Sequence, residues 1–239
     1  MILLIKRRWL IAGTAVVLAA VTLLCVRNVP SKEAFSALSD TRRPVVILDA
    51  GHGGEDGGAV SADGVAESQI NLKIVQKTDL LLTFLGRDTL LTRSGEDAVY
   101  SPEAKTLREK KVSDLKNRVA MVNAAEDAVL ISVHQNSLPV HPAVHGAQVF
   151  YNTILPADQM AQTIQSTLNG LINPGNDKAA KAIDGTIYLM KEITRPGILV
   201  ECGFLSNQKE TQQLQSDDYQ SKLALAIVSG YLEYETNKG

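Results

Sequence analysis

The chain has 239 residues, of which 45% are hydrophobic, and its formal net charge is −2 at pH 7. This length and apolar content suffice for one domain with a substantial core. Four basic residues and no acidic ones lie within residues 1–30, so the remainder carries 20 basic against 26 acidic residues, a net charge of −6. Such a domain lacks the basic surface that nucleic-acid binding requires, and we expect no nucleic-acid partner.

The N-terminus predicts a membrane segment. Residues 9–26 contain no charged residue and follow Lys6, Arg7 and Arg8. A helix over this stretch would span roughly 27 Å at ~1.5 Å per residue, close to the ~30 Å hydrocarbon core of a bilayer. Because no convincing cleavage site follows, an uncleaved signal-anchor is favoured over a cleaved signal peptide, with the rest of the chain outside the cytoplasm. We therefore predict a signal-anchor or signal segment over 1–26, a tether over 27–43 and one folded domain over 44–239.

The first half of that domain alternates strand and helix patterns. The apolar run 45–49 predicts a buried strand that ends in a glycine-rich loop around His52. Helical spacing of apolar residues predicts a helix from about Glu67 to Leu85, and residues 88–92 resemble a second strand. The polar run 93–111 is long for a connection, which indicates a substrate-lining loop or lid, and Ser113 is expected to cap the next helix.

The second half continues the alternation. The sequence predicts strands over 129–133, 148–151 and 198–201, a helix over 156–171, an irregular stretch over 175–185 and a closing helix whose buried face runs from Tyr219 to Tyr234. The first of these strands ends at His134, and the last ends at Glu201. Strands separated by helices predict an α/β fold with a doubly wound, largely parallel sheet flanked by helices.

Four side chains are expected to converge at one edge of this sheet. In a parallel sheet, His52, His134 and Glu201 emerge at the same carboxyl edge, and Glu67 begins the helix beside it. Two imidazoles and one carboxylate are what a catalytic Zn²⁺ needs, with a position left for water. A second carboxylate near that water can take up its proton and release it to the leaving group.

Each of these residues also has a simpler interpretation. His134 could be a satisfied histidine at a strand end, and Glu67 could interact with the N-terminus of its own helix. Glu201 could pair with Arg195. Together these explanations are less convincing, because packing alone seldom ends three apolar segments in His, His and Glu.

Other polar residues nearby receive lesser roles. His141 and His145 lie in a loop with two prolines and are not expected to bind metal. Asp49, Ser132 and Asn136 are candidates only for contacts that orient the metal ligands without binding the metal.

The motifs of the domain resemble a known family. They are, in order, DAGHGG (49–54), ESQINL (67–72), LLTR (90–93), KVSDLKNRVAMVNAA (111–125), SVHQNS (132–137) and VECGFLSN (200–207). Their order and spacing resemble the zinc-dependent N-acetylmuramoyl-L-alanine amidases of bacterial cell walls, the type-3 amidase domain. Gln135, where alanine is common, and Cys202, where an aliphatic residue is common, depart from the family pattern.

The resemblance implies a mechanism and a substrate. It implies that His52, Glu67 and His134 bind zinc and that Glu201 is the catalytic carboxylate of a domain spanning 44–239. The substrate would be peptidoglycan, cleaved between N-acetylmuramic acid and L-alanine of the stem peptide. A zinc carboxypeptidase acting within the stem peptide is an alternative, and a non-catalytic wall-binding domain is another, although retention of all four groups argues against the latter.

The biological setting is also suggested by resemblance. A single amidase domain behind a hydrophobic N-terminus, without a separate wall-binding module, is similar to the germination-specific amidases of spore-forming bacteria. Those enzymes strip stem peptides from spore cortex so that a peptidoglycan deacetylase can complete muramic-δ-lactam. We expect an extracytoplasmic protein, membrane-anchored or secreted or in the spore envelope, with a vegetative amidase for daughter-cell separation as the alternative.

Overall fold

One six-stranded sheet and the helices packed against it form the part of the chain that the computed structural model describes, residues 43–175 and 178–237. The strands are β1 (Val45–Ala50), β2 (Thr89–Leu91), β3 (Ala128–Asn136), β4 (Gln148–Tyr151), β5 (Lys181–Ala182) and β6 (Gly197–Phe204). The helices are α1 (Glu67–Phe84), α2 (Leu107–Ala124), α3 (Ala157–Leu171), α4 (Tyr188–Glu192), α5 (Gln208–Leu214) and α6 (Asp217–Asn237).

The sheet has the order β2-β1-β3-β6-β4-β5. The first four strands in this order run parallel, whereas β4 is antiparallel to β6 and parallel to β5. The prediction of an α/β fold with a largely parallel sheet flanked by helices is thus confirmed. Because β3 and β6 are neighbours in the sheet, their carboxyl ends meet at one edge, and His134 lies opposite Glu201 in the register.

Helices cover both faces of this sheet. Alternate residues of β1 point to opposite faces, so Val46 and Leu48 belong to one hydrophobic cluster and Ile47 to another. The larger cluster includes buried residues of α1, α3 and α6, and the smaller one includes Val122 of α2 and Leu189 of α4. The central strands are therefore buried on both sides, which explains their nearly continuous apolar sequence.

Helix α2 begins earlier than predicted. The expectation that Ser113 caps this helix is wrong, since the N-cap is Thr106 and Ser113 lies within the helix. The Thr106 side chain accepts a hydrogen bond from the backbone N–H of Glu109, whose carboxylate accepts one from the backbone N–H of Thr106. The first turns of α2 are mostly charged and exposed, so apolar periodicity could not reveal them.

Of the polar run 93–111, predicted to form a substrate-lining loop or lid, Lys111 of α2 lines the cleft described below, whereas the irregular part before α2 does not. Its middle is fastened to α2, because the backbone N–H of Val99 donates to Asp114 and that of Ser101 donates to the Ser113 hydroxyl. The side chain of Asn117 also donates to the carbonyl of Val99. The polar residues of this connection are thus used in attaching it to the helix.

The predicted membrane segment over 1–26 and the tether over 27–43 fall outside the described residues, apart from Arg43. Within residues 43–175 and 178–237, no helix is both long and apolar enough to cross a membrane.

Candidate metal centre and active-site cleft

A cleft of about 390 Å³ opens at the carboxyl edge of β1, β3 and β6. Its floor is polar and includes His52, Glu67, His134 and Glu201. Helix α2 and the largely apolar segment 186–190 also line it. The four side chains that the sequence singles out therefore share one cavity.

Two arginines hold the loop that carries His52. This residue has a backbone φ of 62°, a left-handed conformation that is uncommon outside glycine. Arg118 donates to the carbonyls of Ala50 at 2.8 Å and His52 at 2.7 Å. Arg93 donates to the carbonyls of Ala50 at 2.9 Å and Gly51 at 3.2 Å. Where β1 ends, these backbone carbonyls no longer pair with a neighbouring strand, and the buried guanidinium groups supply their hydrogen-bond donors. The loop is fixed by these bonds.

Arg118 is in turn held by two carboxylates. It pairs with Asp49 at 2.6 Å and with Asp114 at 2.8 Å. Burial would raise the pKa of Asp49, but the charge of Arg118 and hydrogen bonds from Ser132 and Thr92 hold that pKa at about 2. Asp49 and Ser132, predicted as contacts behind the ligands, thus belong to the support of the His52 loop.

Glu67 is the most heavily bonded carboxylate of the cleft. Its side chain is buried at the start of α1. Oε1 accepts from the side-chain amide of Asn71 at 3.2 Å and from the backbone N–H of Gln135 at 3.0 Å, and Oε2 accepts from the backbone N–H of Ala59 at 2.9 Å. These donors orient Glu67 so that Oε1 also faces both histidines.

The three potential metal ligands converge. Ligand atoms of His52, Glu67 and His134 all lie within 4.8 Å of one another. Nδ1 of His134 is 2.9 Å from Glu67 Oε1, and Nε2 of His52 is 3.4 Å from the same oxygen. Nδ1 of His52 is turned away and bonds to Asp56 at 3.0 Å, the carboxylate contact that typically orients a metal-binding histidine.

Two glycines leave the space that this arrangement needs. A Cβ at Gly51 would lie 2.3 Å from the imidazole of His134. A Cβ at Gly58, where φ is +70°, would lie 2.5 Å from a Glu67 carboxylate oxygen and 2.7 Å from the His52 ring. Any side chain at either position would displace a potential ligand, which explains the glycines around His52.

The electrostatics of this arrangement favour a positive charge beside the Glu67 carboxylate. Burial lowers the pKa of His52, but its bonds to Asp56 and Glu67 raise it to about 9. Burial raises the pKa of Glu67, yet the two histidines hold it well below its usual range. Because a metal ligand must be a deprotonated imidazole nitrogen, metal binding by His52 would release its proton.

Glu201 is placed differently from the other three. One of its carboxylate oxygens, Oε2, is buried without a hydrogen-bond partner among the described residues. Burial raises the pKa of Glu201 to about 7, and the nearby charge of Glu67 adds to that effect, while His134 opposes it. A buried carboxyl group that titrates near neutral pH and faces a cleft has the properties of a general acid or base.

The simpler pairing of Glu201 with Arg195 is not present in the structure. Arg195 donates to backbone carbonyls, including that of Ala125, and not to Glu201. Glu67 accepts from Ala59, which lies before its helix. His141 and His145 are exposed in the loop after β3 and lie outside the group of ligand atoms. Asn136 bonds to the neighbouring Ser137 backbone N–H.

Several supporting residues were not predicted from the sequence. They are Asp56, Asn71, Arg93, Asp114 and Arg118, which hold His52 or Glu67 in place. Asn71 follows Glu67 by one helical turn, so helical spacing could have identified it. The two arginines act through bonds to backbone carbonyls, and no residue pattern shows which carbonyls a folded loop leaves exposed.

Comparisons with known proteins identify relatives of this chain. The N-acetylmuramoyl-L-alanine amidase family model matches residues 46–233. The chain is 34% identical over 195 residues to the germination-specific N-acetylmuramoyl-L-alanine amidase of Bacillus subtilis (strain 168), which covers 82% of this chain and 81% of that protein.

Solved structures show the same similarity. The CwlD amidase from Clostridioides difficile, in complex with the GerS lipoprotein, has a TM-score of 0.78 at 36% identity and covers 82% of this chain and 100% of that one. An N-acetylmuramoyl-L-alanine amidase from Clostridium difficile 630 has a TM-score of 0.71 at 27% identity and covers 83% of this chain and 100% of that one.

Proposed function

Because this chain belongs to the N-acetylmuramoyl-L-alanine amidase family, we propose that it is a zinc-dependent hydrolase that cleaves the amide between N-acetylmuramic acid and L-alanine of peptidoglycan. The observation that supports zinc is the convergence of two imidazoles and one carboxylate, from His52, His134 and Glu67, within 4.8 Å. Two nitrogen donors and one oxygen donor fit a catalytic zinc site that keeps an open position. The space preserved at Gly51 and Gly58 is consistent with this use.

The residues of the cleft then have distinct tasks. Zinc, when bound by His52, Glu67 and His134, supplies a Lewis acid at the scissile carbonyl. Glu201 takes the proton of the attacking water and delivers it to the leaving nitrogen of L-alanine. Its buried position supports this task, since burial raises the pKa of this carboxyl group above its usual range and favours the uptake of a proton. Asp56 keeps Nδ1 of His52 engaged, so that Nε2 faces the metal.

Product analysis tests this reaction. Purified peptidoglycan treated with the protein should release stem peptides with a free L-alanine amino group, identified by mass spectrometry after amine labelling. A zinc carboxypeptidase would instead release D-amino acids from the other end of the stem peptide. Release of those residues without new L-alanine amino groups would replace the amidase reaction with that alternative.

We extend the proposal to a role in spore cortex maturation. The support is similarity to the germination-specific amidase of Bacillus subtilis and to the CwlD amidase of Clostridioides difficile. In this role the protein removes stem peptides so that a peptidoglycan deacetylase can complete muramic-δ-lactam. The Clostridioides difficile amidase structure is of a complex with the GerS lipoprotein.

Deleting the gene tests the biological role. Loss of muramic-δ-lactam from cortex, with normal separation of vegetative cells, is expected. Normal muramic-δ-lactam together with chained vegetative cells would favour a vegetative amidase for daughter-cell separation. In both cases we propose an extracytoplasmic site of action, with residues 1–26 as the anchor or signal.

A further inference from the structure

Among the described residues, the cleft contains one lysine or arginine that is available to a ligand. The residues that line it include one arginine, Arg118, and one lysine, Lys111. Arg118 is buried, and its guanidinium group is committed to Asp49, Asp114 and backbone carbonyls. The side chain of Lys111 is 51% exposed, and its Nζ lies 3.1 Å from Asp56. Lys111 therefore retains donors that can face a bound substrate.

Lys111 lies close to the proposed reaction centre. Oδ2 of Asp56 contacts both Nδ1 of His52, at 3.0 Å, and the Lys111 ammonium group, at 3.1 Å. One carboxylate thus separates the ammonium group from a proposed metal ligand. Helix α2 orients Lys111 toward this cleft, whereas its neighbour Lys110 pairs with Glu55 and lies 4.8 Å from the Tyr100 ring centroid, outside the cleft.

The remaining surface of the cleft does not favour an anion. Asp56, Glu67 and Glu201 are acidic, and the segment 186–190 presents Ile187 and Tyr188. A carboxylate on the substrate would be repelled by the acidic groups and poorly solvated at the apolar wall. Apart from the proposed metal position, Lys111 is the cation lining the cleft with which such a carboxylate can pair.

We propose that Lys111 determines specificity by binding the free α-carboxylate of the second stem-peptide residue, the D-glutamate that follows L-alanine. This inference rests on the proposed amidase function. Because this glutamate is linked through its γ-carboxyl group, its α-carboxylate is the first free acid beyond the scissile amide. One residue, L-alanine, lies between it and the reacting carbonyl, so the two carbons are about 7 Å apart along an extended chain. In walls where this carboxylate is amidated, the same stem peptide lacks the charge.

The test compares two substrates and four forms of the full-length enzyme. The substrates are soluble uncrosslinked glycan strands whose stem peptides carry either D-glutamate or its α-amide, D-isoglutamine. The wild type should cleave the carboxylate substrate with a kcat/KM about 10-fold higher. Lys111→Met should lose most of this preference by raising KM for the carboxylate substrate, with little change in kcat. Lys111→Arg should retain the preference, and the matched control Lys110→Met should behave as the wild type.

Different failures have different meanings. Equal cleavage of both substrates by the wild type would overturn the role of Lys111 and leave the amidase assignment intact. That role would also be overturned if Lys111→Met lost activity equally on both substrates, because the lysine would then act through Asp56 and His52. If neither strand released L-alanine amino groups, the amidase assignment itself would fail, and the proposal with it.

Discussion

At the scale of single residues, Glu67 links the two histidines. Oε1 lies within 3.4 Å of a nitrogen of each imidazole, while backbone and amide donors fix the carboxylate from behind. Removing one histidine would leave this carboxylate oriented but with a single imidazole partner. A metal held by three protein ligands tolerates that loss poorly.

His52→Ala and His134→Ala should therefore each lose bound zinc and activity together. The measurement is zinc content per protein after purification, alongside cleavage of peptidoglycan. His141→Ala is the matched control, since this histidine is exposed outside the cleft and should retain both. Near-stoichiometric zinc in the two cleft variants would exclude these residues as ligands.

Glu201→Gln should separate metal binding from turnover. The substitution keeps the size of the side chain but removes its capacity to accept a proton, so kcat should fall by roughly 10²-fold or more. Zinc content and thermal stability of the loaded enzyme should stay near wild type. Unchanged turnover would remove Glu201 from the reaction, and loss of zinc would make it a ligand instead.

Glu201 should also make the stability of the metal-free protein depend on pH. Its pKa in the folded state is raised by burial to about 7 from 4.5, so the folded chain binds an extra proton between these values. The contribution of this proton to the free energy of unfolding is fully present below pH ~4.5 and is lost as the pH rises through ~7. The melting temperature of Glu201→Gln minus that of wild type, measured by calorimetry in the presence of a chelator, should thus increase between pH 4.5 and pH 7.5. A constant difference across this range would contradict the raised pKa.

The sequence identified the four residues that converge in the cleft better than those that support them. His52, His134 and Glu201 stand at the ends of apolar segments, where a pattern reveals them. Asp56 and Lys111 stand in polar surroundings, and their importance depends on which way a loop and a helix face turn. That orientation is a property of the folded chain.

At the scale of elements, α2 contributes side chains both to the cleft and to the loops that support it. It provides Lys111 to the cleft, Asp114 to the long connection and Arg118 to the His52 loop. Its position therefore affects both the substrate wall and the proposed ligand.

Thr106→Ala should destabilise this helix. The change removes the capping-box hydrogen bond from Glu109, and the free energy of unfolding should fall by about 1 kcal/mol. Denaturant unfolding measures the effect, with Thr236→Ala near the end of α6 as a control that lacks a capping role. An unfolding free energy unchanged by Thr106→Ala would indicate that α2 begins further along the chain.

At the scale of the whole molecule, the alternation of apolar runs and helical spacing was enough to predict a mostly parallel sheet flanked by helices. It could not show that β4 runs antiparallel, because a four-residue strand carries no directional signal of its own. Direction is set by the connection from β3 and by pairing with β6, both of which are tertiary features.

The predicted anchor can be tested on intact cells. A tag after Gly239 should be digested by protease added outside protoplasts, and the chain recovered from membranes should still contain residues 1–26. The physical reason is the uncharged stretch 9–26 behind three cations, which favours retention of the N-terminus in the cytoplasm. A mature chain beginning between residues 27 and 44 would show a cleaved signal instead, and a tag protected from protease would contradict the outward orientation.

The order of the strands has a consequence for self-association. Both borders of the sheet are very short strands, three residues in β2 and two in β5, while the long strands β3 and β6 lie in the interior. A border of two or three residues offers few unpaired backbone groups to a second chain, whereas a long exposed strand would serve as a template for aggregation. Copies of an enzyme that bind the same insoluble polymer lie close together, and the short border strands of this sheet offer few backbone groups through which two copies could pair.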